Sequence, residues 1–131
     1  MKNLFLLAIL VFSFTISRAQ TSKVIGNSVK VGKLEIAQFS FSFPLTWEKA
    51  NNSCKNLGKG WRLPTRDELQ VLYQNKDKLS SLGINFSGTF WSCSENNYGE
   101  VFWLSFSNLG TMGREPMDGD AKLWAHPVRD L

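Results

Sequence analysis

The chain has 131 residues, which is enough for one domain with a substantial core and too few for two. Fifteen basic residues against eleven acidic ones give a net charge of +4. The basic residues are scattered, without the Lys/Arg run that is typical of nucleic-acid binding, so we expect no nucleic-acid partner.

Residues 1–19 have the anatomy of a secretory signal peptide. Lys2 gives a positive start, residues 4–14 are almost entirely apolar, and Ser17-Arg18-Ala19 is a small-x-small cleavage site. The alternative is a membrane anchor, but a span needs about 20 apolar residues. We expect cleavage after Ala19 and a mature single domain, residues 20–131, that does not span a membrane. Loss of Lys2 and Arg18 lowers the net charge to +2.

Residues 23–43 predict β-structure. Gly26-Asn27 lies between two β-branched stretches, Val24-Ile25 and Val29 to Val31, which is typical of a hairpin turn. Leu34 to Ile36 extends the second stretch. Further on, phenylalanine alternates with serine, the period of a half-buried strand, at Phe39, Phe41 and Phe43.

Two helices are predicted next. Thr46 is placed to cap a first helix whose apolar residues recur at helical spacing, and Gly58 stands where a helix commonly ends. The run Trp61-Arg62-Leu63-Pro64-Thr65 then leads into a second helix, from Arg66 to Asn75. Thr65 and Glu68 have the spacing of a capping box, in which each side chain bonds the other's backbone N–H. Arg62 either pairs with a carboxylate such as Glu68 or Asp130, or contacts a ligand.

The second half of the chain predicts β-structure after a loop over residues 76–88. Strands are predicted at 89–92 and 100–107, with apolar residues on both faces of the second, as in a central, covered strand. A turn at Asn108-Leu109-Gly110 leads to a returning strand at 111–115 and a closing strand at 122–129. Strands on both sides of two helices predict an α+β fold.

Two cysteines, Cys54 and Cys93, remain after signal cleavage. An even count in an exported chain indicates a disulfide, which stabilises by about 3–4 kcal/mol for a loop of this length. The alternatives are two buried thiols or a metal pair. A metal pair is a poor fit, because structural zinc needs four ligands and the chain has a single histidine.

Much of the chain resembles a known family. The matching residues are Thr46-Trp47, Ala50, Cys54, Leu57, Gly60-Trp61-Arg62-Leu63-Pro64-Thr65, Glu68-Leu69, Phe90-Trp91-Ser92, Trp103, Phe106-Ser107-Asn108, Gly110 and Pro127-Val128-Arg129. They resemble the secreted bacterial family of the Lcl C-terminal domain, named for a Legionella collagen-like adhesin. The resemblance implies a C-type-lectin-like fold: two helices packed on small antiparallel sheets with long loops. It also implies binding at or outside the cell surface, since the adhesin recognises sulfated glycans. Here Cys93 replaces the second serine of the family's Trp-Ser-Ser run.

A calcium site is one candidate for the binding chemistry. Calcium-dependent lectins of this fold use a Glu-Pro-Asn triplet, and this chain has Glu115-Pro116-Met117 instead. Glu115, Asp118 and Asp120 offer oxygen ligands, of which calcium takes six to eight. The alternative is an acidic turn in contact with solvent and no cofactor at all.

A second candidate is a small patch for an anionic ligand. Arg114, Lys122 and Arg129 lie near the last strands, and arginine binds sulfate and carboxylate in bidentate fashion. Trp124 is the tryptophan that we expect to be exposed enough to stack on a sugar ring. The alternative is that the cations are merely solvated and the tryptophans belong to the core.

Catalysis has little support in the sequence. His126 is the lone histidine, has no nucleophile near it in the sequence, and precedes Pro127 in a predicted edge strand. We therefore predict a monomeric, secreted, periplasmic or cell-surface bacterial module that binds a glycan or a protein without catalysis. The alternatives are a structural or assembly protein of the envelope and, third, an oxidase related to the formylglycine-generating enzymes.

Overall fold

The computed structural model describes residues 23–131, and the predicted signal peptide and cleavage site lie outside this range. Residues 23–25 are helical. The described chain then forms β1 Val29–Val31, β2 Leu34–Ile36, α1 Trp47–Asn56, α2 Arg66–Gln74, α3 Lys76–Ser81, β3 Thr89–Glu95, β4 Glu100–Ser105, β5 Met112–Pro116 and β6 Val128–Asp130. The fold is a mixed α+β fold with two small antiparallel sheets, as the sequence predicts.

The first sheet joins the two ends of the described chain. Its strand order is β1-β2-β6, with Ile36 of β2 opposite both Val29 and Val128. The hairpin turn lies at Gly32-Lys33, so the predicted turn at Gly26-Asn27 is wrong. Residues 23–25 are helical and so form no partner strand, and the N–H of Asn27 donates to the side chain of Gln38 at 2.8 Å.

The second sheet has the order β3-β4-β5, so the strand predicted to be central is central. Trp91 of β3 faces Trp103 of β4, and the register shifts between Trp91 and Glu95. The predicted turn at 108–110 is confirmed: Leu109 and Gly110 both have positive φ, at 53° and 71°.

Both predicted helices are confirmed. α1 follows Thr46, and Gly58 beyond its end has a φ of 76°, a backbone conformation that suits glycine. The capping box of α2 is present in both directions between Thr65 and Glu68. The predicted loop at 76–88 is wrong in its first half, because α3 forms there and buries Leu79 in the core.

Two further strand predictions are wrong. Residues 39–43 form no strand: Phe39 and Phe43 are 50% and 73% exposed, and the N–H of Phe41 donates to the irregular segment at Ala125. The predicted closing strand 122–129 is interrupted, with isolated bridge pairs before a short β6. Pro127 lies in the interruption, where it has no N–H to give to a ladder.

The core consists of two apolar clusters. The larger lies between the first sheet, α2, α3 and the second sheet, and includes Ile36, Leu69, Leu72, Leu79, Phe90, Leu104 and Val128. The smaller lies between α1 and the second sheet and includes Ala50, Cys54, Leu63, Trp91 and Val101. Within residues 23–131 no helix has the length and apolarity that crossing a membrane would require.

Candidate functional site

The Trp61–Thr65 motif is held by an ion-pair network. The Arg62 guanidinium donates to both carboxylate oxygens of Glu68, at 2.7 and 3.0 Å, and to Asp130 at 2.8 Å. Burial alone raises the pKa of Glu68, but hydrogen bonds from Arg62 and from the Thr65 N–H outweigh it and hold the pKa below its usual value. Of the two interpretations of Arg62, pairing with carboxylates is the one seen. Its ion pairs connect α2, through Glu68, to β6, through Asp130.

The structure does not bring the predicted cationic patch together. Arg129, in the first sheet, is occupied: it makes two hydrogen bonds to Glu35, at 2.7 and 3.2 Å, and lies 4.8 Å from the centre of the Trp61 ring. Arg114 lies in the second sheet, opposite Phe102. Lys122 precedes the isolated bridge that Leu123 makes.

The predicted calcium ligands are not assembled either. Glu115 lies on β5 opposite Val101, whereas Asp118 and Asp120 follow that strand in an irregular segment. Among residues 23–131, no three or more His, Cys, Asp or Glu side chains form a group that could hold a metal ion.

Cys54 and Cys93 are both free thiols in the structure, not the predicted disulfide. They meet in the smaller core cluster, Cys54 from α1 and Cys93 from β3. Burial, and to a lesser degree the nearby Cys93, raises the pKa of Cys54 to about 12. Burial also raises the pKa of Cys93. The structure thus has two free thiols, of which Cys54 is buried and Cys93 is partly buried.

His126 is fully buried and belongs to a short hydrogen-bond chain. Its Nε2 lies 2.6 Å from the Ala37 carbonyl oxygen, and its Nδ1 lies 3.0 Å from Ser40 Oγ. A carbonyl only accepts hydrogen bonds, so Nε2 carries the proton and Nδ1 accepts from the Ser40 hydroxyl. Burial lowers the pKa of His126 to about 4, against the opposing effect of the Ala37 bond. The ring is thus neutral at physiological pH.

One concave surface, which we call the acidic cleft, has a volume of about 530 Å³. It is formed by the start of α1, the β3–β4 turn and the residues after β5, and its lining is Trp47, Glu48, Glu95, Tyr98, Gly99, Met117 and Asp118. Three carboxylates, two aromatic rings and a thioether thus surround one space, and none of the lining side chains is basic.

Several hydrogen bonds fix the walls of the acidic cleft. The Trp47 indole N–H donates to the Ser92 carbonyl at 2.8 Å. In the β3–β4 turn, Asn96 Oδ1 accepts from the N–H of Tyr98 at 2.9 Å, and the Tyr98 side chain is left 85% exposed. The N–H of Met117 donates to the Gly99 carbonyl at 3.0 Å. Tyr98 is thereby presented to solvent by a well-ordered turn.

A smaller polar pocket of about 380 Å³ adjoins the cleft, because Glu95 lines both. The first residues of α2 line this pocket, together with the end of β3. There the N–H of Arg66 donates to Ser94 Oγ at 2.8 Å, and the Arg66 guanidinium lies 4.9 Å from the centre of the Phe102 ring. The pocket offers polar contacts to a ligand that extends beyond the cleft.

A third concave surface, the Trp124 pocket, has a volume of about 330 Å³. Its lining is Ser40, Asn85, Ser87, Gly88, Phe90 and Trp124. Of the four ligand-binding residues predicted from the sequence, only Trp124 lines one of these three concave surfaces.

Sequence reasoning missed the acidic cleft, apart from Asp118, which it assigned to calcium. The walls come from three segments far apart in the chain, and each looks ordinary alone: a helix start, a polar turn and an acidic loop. The one available signal was Tyr98, a large aromatic residue in a turn of polar residues.

No protein-family model matches the chain, and neither does any curated protein. The proposed function is therefore inferred from the geometry of the described residues.

Proposed function

We propose that this chain is an exported bacterial binding module with a C-type-lectin-like fold, which binds a glycan in the acidic cleft without catalysis. One observation carries the proposal: the cleft combines exposed aromatic surface with several carboxylates in a single concave space. Ligand sites of this size are typically concave and apolar, with a few polar groups that fix orientation.

The lining suits a sugar better than a purely apolar ligand. A sugar ring has C–H faces that pack on aromatic side chains such as Tyr98 and Trp47, and hydroxyl groups at its edge. Each ionised carboxylate has two oxygens that accept from those hydroxyls. Glu48, Glu95 and Asp118 supply these acceptors around the aromatic surface.

The charge of the cleft narrows the class of glycan. With three carboxylates and no basic side chain in the lining, a sulfated or acidic sugar would be repelled. The cleft thus favours a neutral or amine-bearing glycan, unlike the sulfated ligand that the family resemblance implies. Of the predicted cations, Arg114 lies in the second sheet and Lys122 lies in neither sheet. Arg129 lies in the first sheet and is paired with Glu35.

The alternatives make different predictions. A structural protein of the envelope needs no ligand, and the exposed Tyr98 side chain then has no binding role. An oxidase related to the formylglycine-generating enzymes needs accessible cysteines, whereas Cys54 is fully buried. A glycosidase that used the cleft carboxylates would generate new reducing ends from a bound oligosaccharide.

Binding of residues 20–131 to a glycan array, in calcium and again in chelator, tests the proposal. We expect binding to neutral or amine-bearing glycans that survives chelation, and no increase in reducing ends. Absence of binding to any glycan on the array would favour the structural role instead. Binding restricted to sulfated glycans would reject the acidic cleft as the site.

A further inference from the structure

We infer that the Trp124 pocket is a second carbohydrate site, separate from the acidic cleft, which takes an uncharged sugar ring. Its lining has an indole, two hydroxyls and an amide, and no ionisable side chain: Ser40, Asn85, Ser87, Gly88, Phe90 and Trp124. The inference does not require that the acidic cleft bind anything, because the residues that carry it are different.

The indole of Trp124 is held in place. The backbone N–H of Trp124 donates to the Thr89 carbonyl, and the backbone carbonyl of Trp124 accepts from the N–H of Trp91, both at 2.9 Å. The ring lies directly on the backbone of Gly88: a Cβ at that position would stand 3.0 Å from Trp124 Cδ1. Gly88 also has a φ of 97°, which other residues rarely adopt. A fixed aromatic surface costs a ligand little ordering entropy.

The direction of the hydrogen bond that the Ser40 hydroxyl donates is set by His126, which is fully buried. His126 is neutral and its Nε2–H donates to the Ala37 carbonyl. Its Nδ1 therefore accepts a hydrogen bond from the Ser40 hydroxyl, which uses the one proton that Ser40 has to donate. The lone pairs of Ser40 Oγ remain available in the pocket. Ser40 is therefore an acceptor, and the ligand group that it meets must donate, as a sugar hydroxyl does.

Asn85 supplies the opposite polarity. Its Oδ1 accepts from the hydroxyl of Ser80 at 2.8 Å, which leaves its NH2 group to donate to a ligand. An acceptor at Ser40 and a donor at Asn85 match the hydroxyls of a sugar, which both donate and accept. A sulfate or carboxylate finds no cation here, and an ammonium finds no carboxylate.

The pocket and the cleft lie toward opposite ends of β3. Phe90 lines the pocket and Glu95 lines the cleft, and five residues of extended strand separate them by about 17 Å. A single sugar ring therefore occupies one site or the other, and the two sites can be followed separately.

The test is a titration of 15N-labelled residues 20–131, followed by NMR, with the neutral hexamers of cellulose, laminarin and chitin and with a sulfated heparin hexasaccharide. We expect at least one neutral hexamer to shift the Trp124 indole N–H and the amides of residues 85–88, with saturation. Shifts confined to Tyr98 and Gly99 would leave the cleft proposal standing and overturn the second site. Absence of any Trp124 shift with the neutral hexamers, or a stronger response to heparin, would also overturn it.

Variants separate binding from folding. Asn85→Asp keeps the acceptor for Ser80, removes the donor and adds a charge, so we expect at least about fivefold weaker binding in the pocket. Ser87→Ala and Ser40→Ala test the hydroxyls, with urea unfolding as the check on Ser40→Ala, since it leaves His126 Nδ1 without its donor. Tyr98→Ala is the control that leaves the pocket intact. Unchanged pocket affinity in folded Asn85→Asp and Ser40→Ala would contradict the inference.

Discussion

Arg62 and Glu68 form a bidentate ion pair, with hydrogen bonds of 2.7 and 3.0 Å, at the start of α2. Glu68 Oε1 also accepts from the Thr65 N–H at 2.8 Å, so one carboxylate serves both the ion pair and the capping box. Arg62 reaches on to Asp130, beside β6, and its backbone pairs with Val128. The motif thereby fixes α2 to the first sheet and to the end of the chain.

We expect Glu68→Ala to lower the free energy of unfolding by roughly 2 kcal/mol, because it removes a helix cap and leaves the half-buried Arg62 with a single carboxylate partner, Asp130. Urea unfolding at pH 7 measures the change. Asp67→Ala is the matched control in the same turn. Its side chain is 84% exposed with a single ion pair of 3.7 Å, so a loss under about 0.5 kcal/mol is expected. Equal losses in the two variants would contradict this role of Glu68.

Local signals account for the parts of the fold that the sequence predicts correctly. The cap at Thr65, the glycine after α1 and the turn at 108–110 each depend on a few neighbouring residues. The failures are non-local. The alternating Phe39–Phe43 stretch resembles a strand, but it lies beside the irregular segment around Ala125, which gives it no regular ladder. The predicted hairpin at Gly26-Asn27 does not form because residues 23–25, which directly precede it, are helical.

Burial of His126 makes stability depend on pH. Its pKa in the folded protein is about 4, whereas the unfolded chain has the usual 6.5. Between these values the unfolded state binds more protons, so stability is full above pH 6.5 and falls as the pH falls toward 4. We expect this group to remove roughly 3 kcal/mol over that window. Urea unfolding at several pH values measures it.

His126→Gln is the comparison for the pH series. It should be less stable than the natural protein at pH 7, because the core is disturbed, but its stability should fall less between pH 6.5 and 4. Parallel curves for the two proteins would mean that His126 is not buried in its neutral form.

The two cysteines should behave as free thiols of low reactivity, one buried and one partly buried. Burial raises the pKa of both, so little thiolate is present at pH 8, and a thiol reagent should label the native protein slowly. In denaturant, without a reducing agent, the same reagent should label both Cys54 and Cys93. If neither thiol is labelled in denaturant, the two cysteines form the disulfide that the cysteine count predicts. Fast labelling of Cys54 in the native protein, identified by mass spectrometry of the labelled peptides, would contradict the burial of Cys54.

The candidate sites were less predictable than the fold. Trp124 was predicted and does line a pocket, but its neighbours Ser40 and Asn85 come from distant segments. Arg114, Lys122 and Arg129 are close in sequence near the last strands, yet Arg114 lies in the second sheet, Arg129 in the first, and Lys122 in neither. Spacing along the chain locates residues within one element, but it does not determine which elements pack together. The acidic cleft and the Trp124 pocket are each formed by elements that are distant in sequence.

The most direct test of the central claim compares glycan binding by Tyr98→Ala and Leu109→Ala, using an array ligand that shifts the amide of Gly99 in the NMR titration. Both side chains are large, apolar and highly exposed in turns of the second sheet, but only Tyr98 lines the acidic cleft. We predict about tenfold weaker binding for Tyr98→Ala, as expected for a central aromatic contact, and unchanged binding for Leu109→Ala. Equal affinity of the two variants would contradict glycan binding in the acidic cleft.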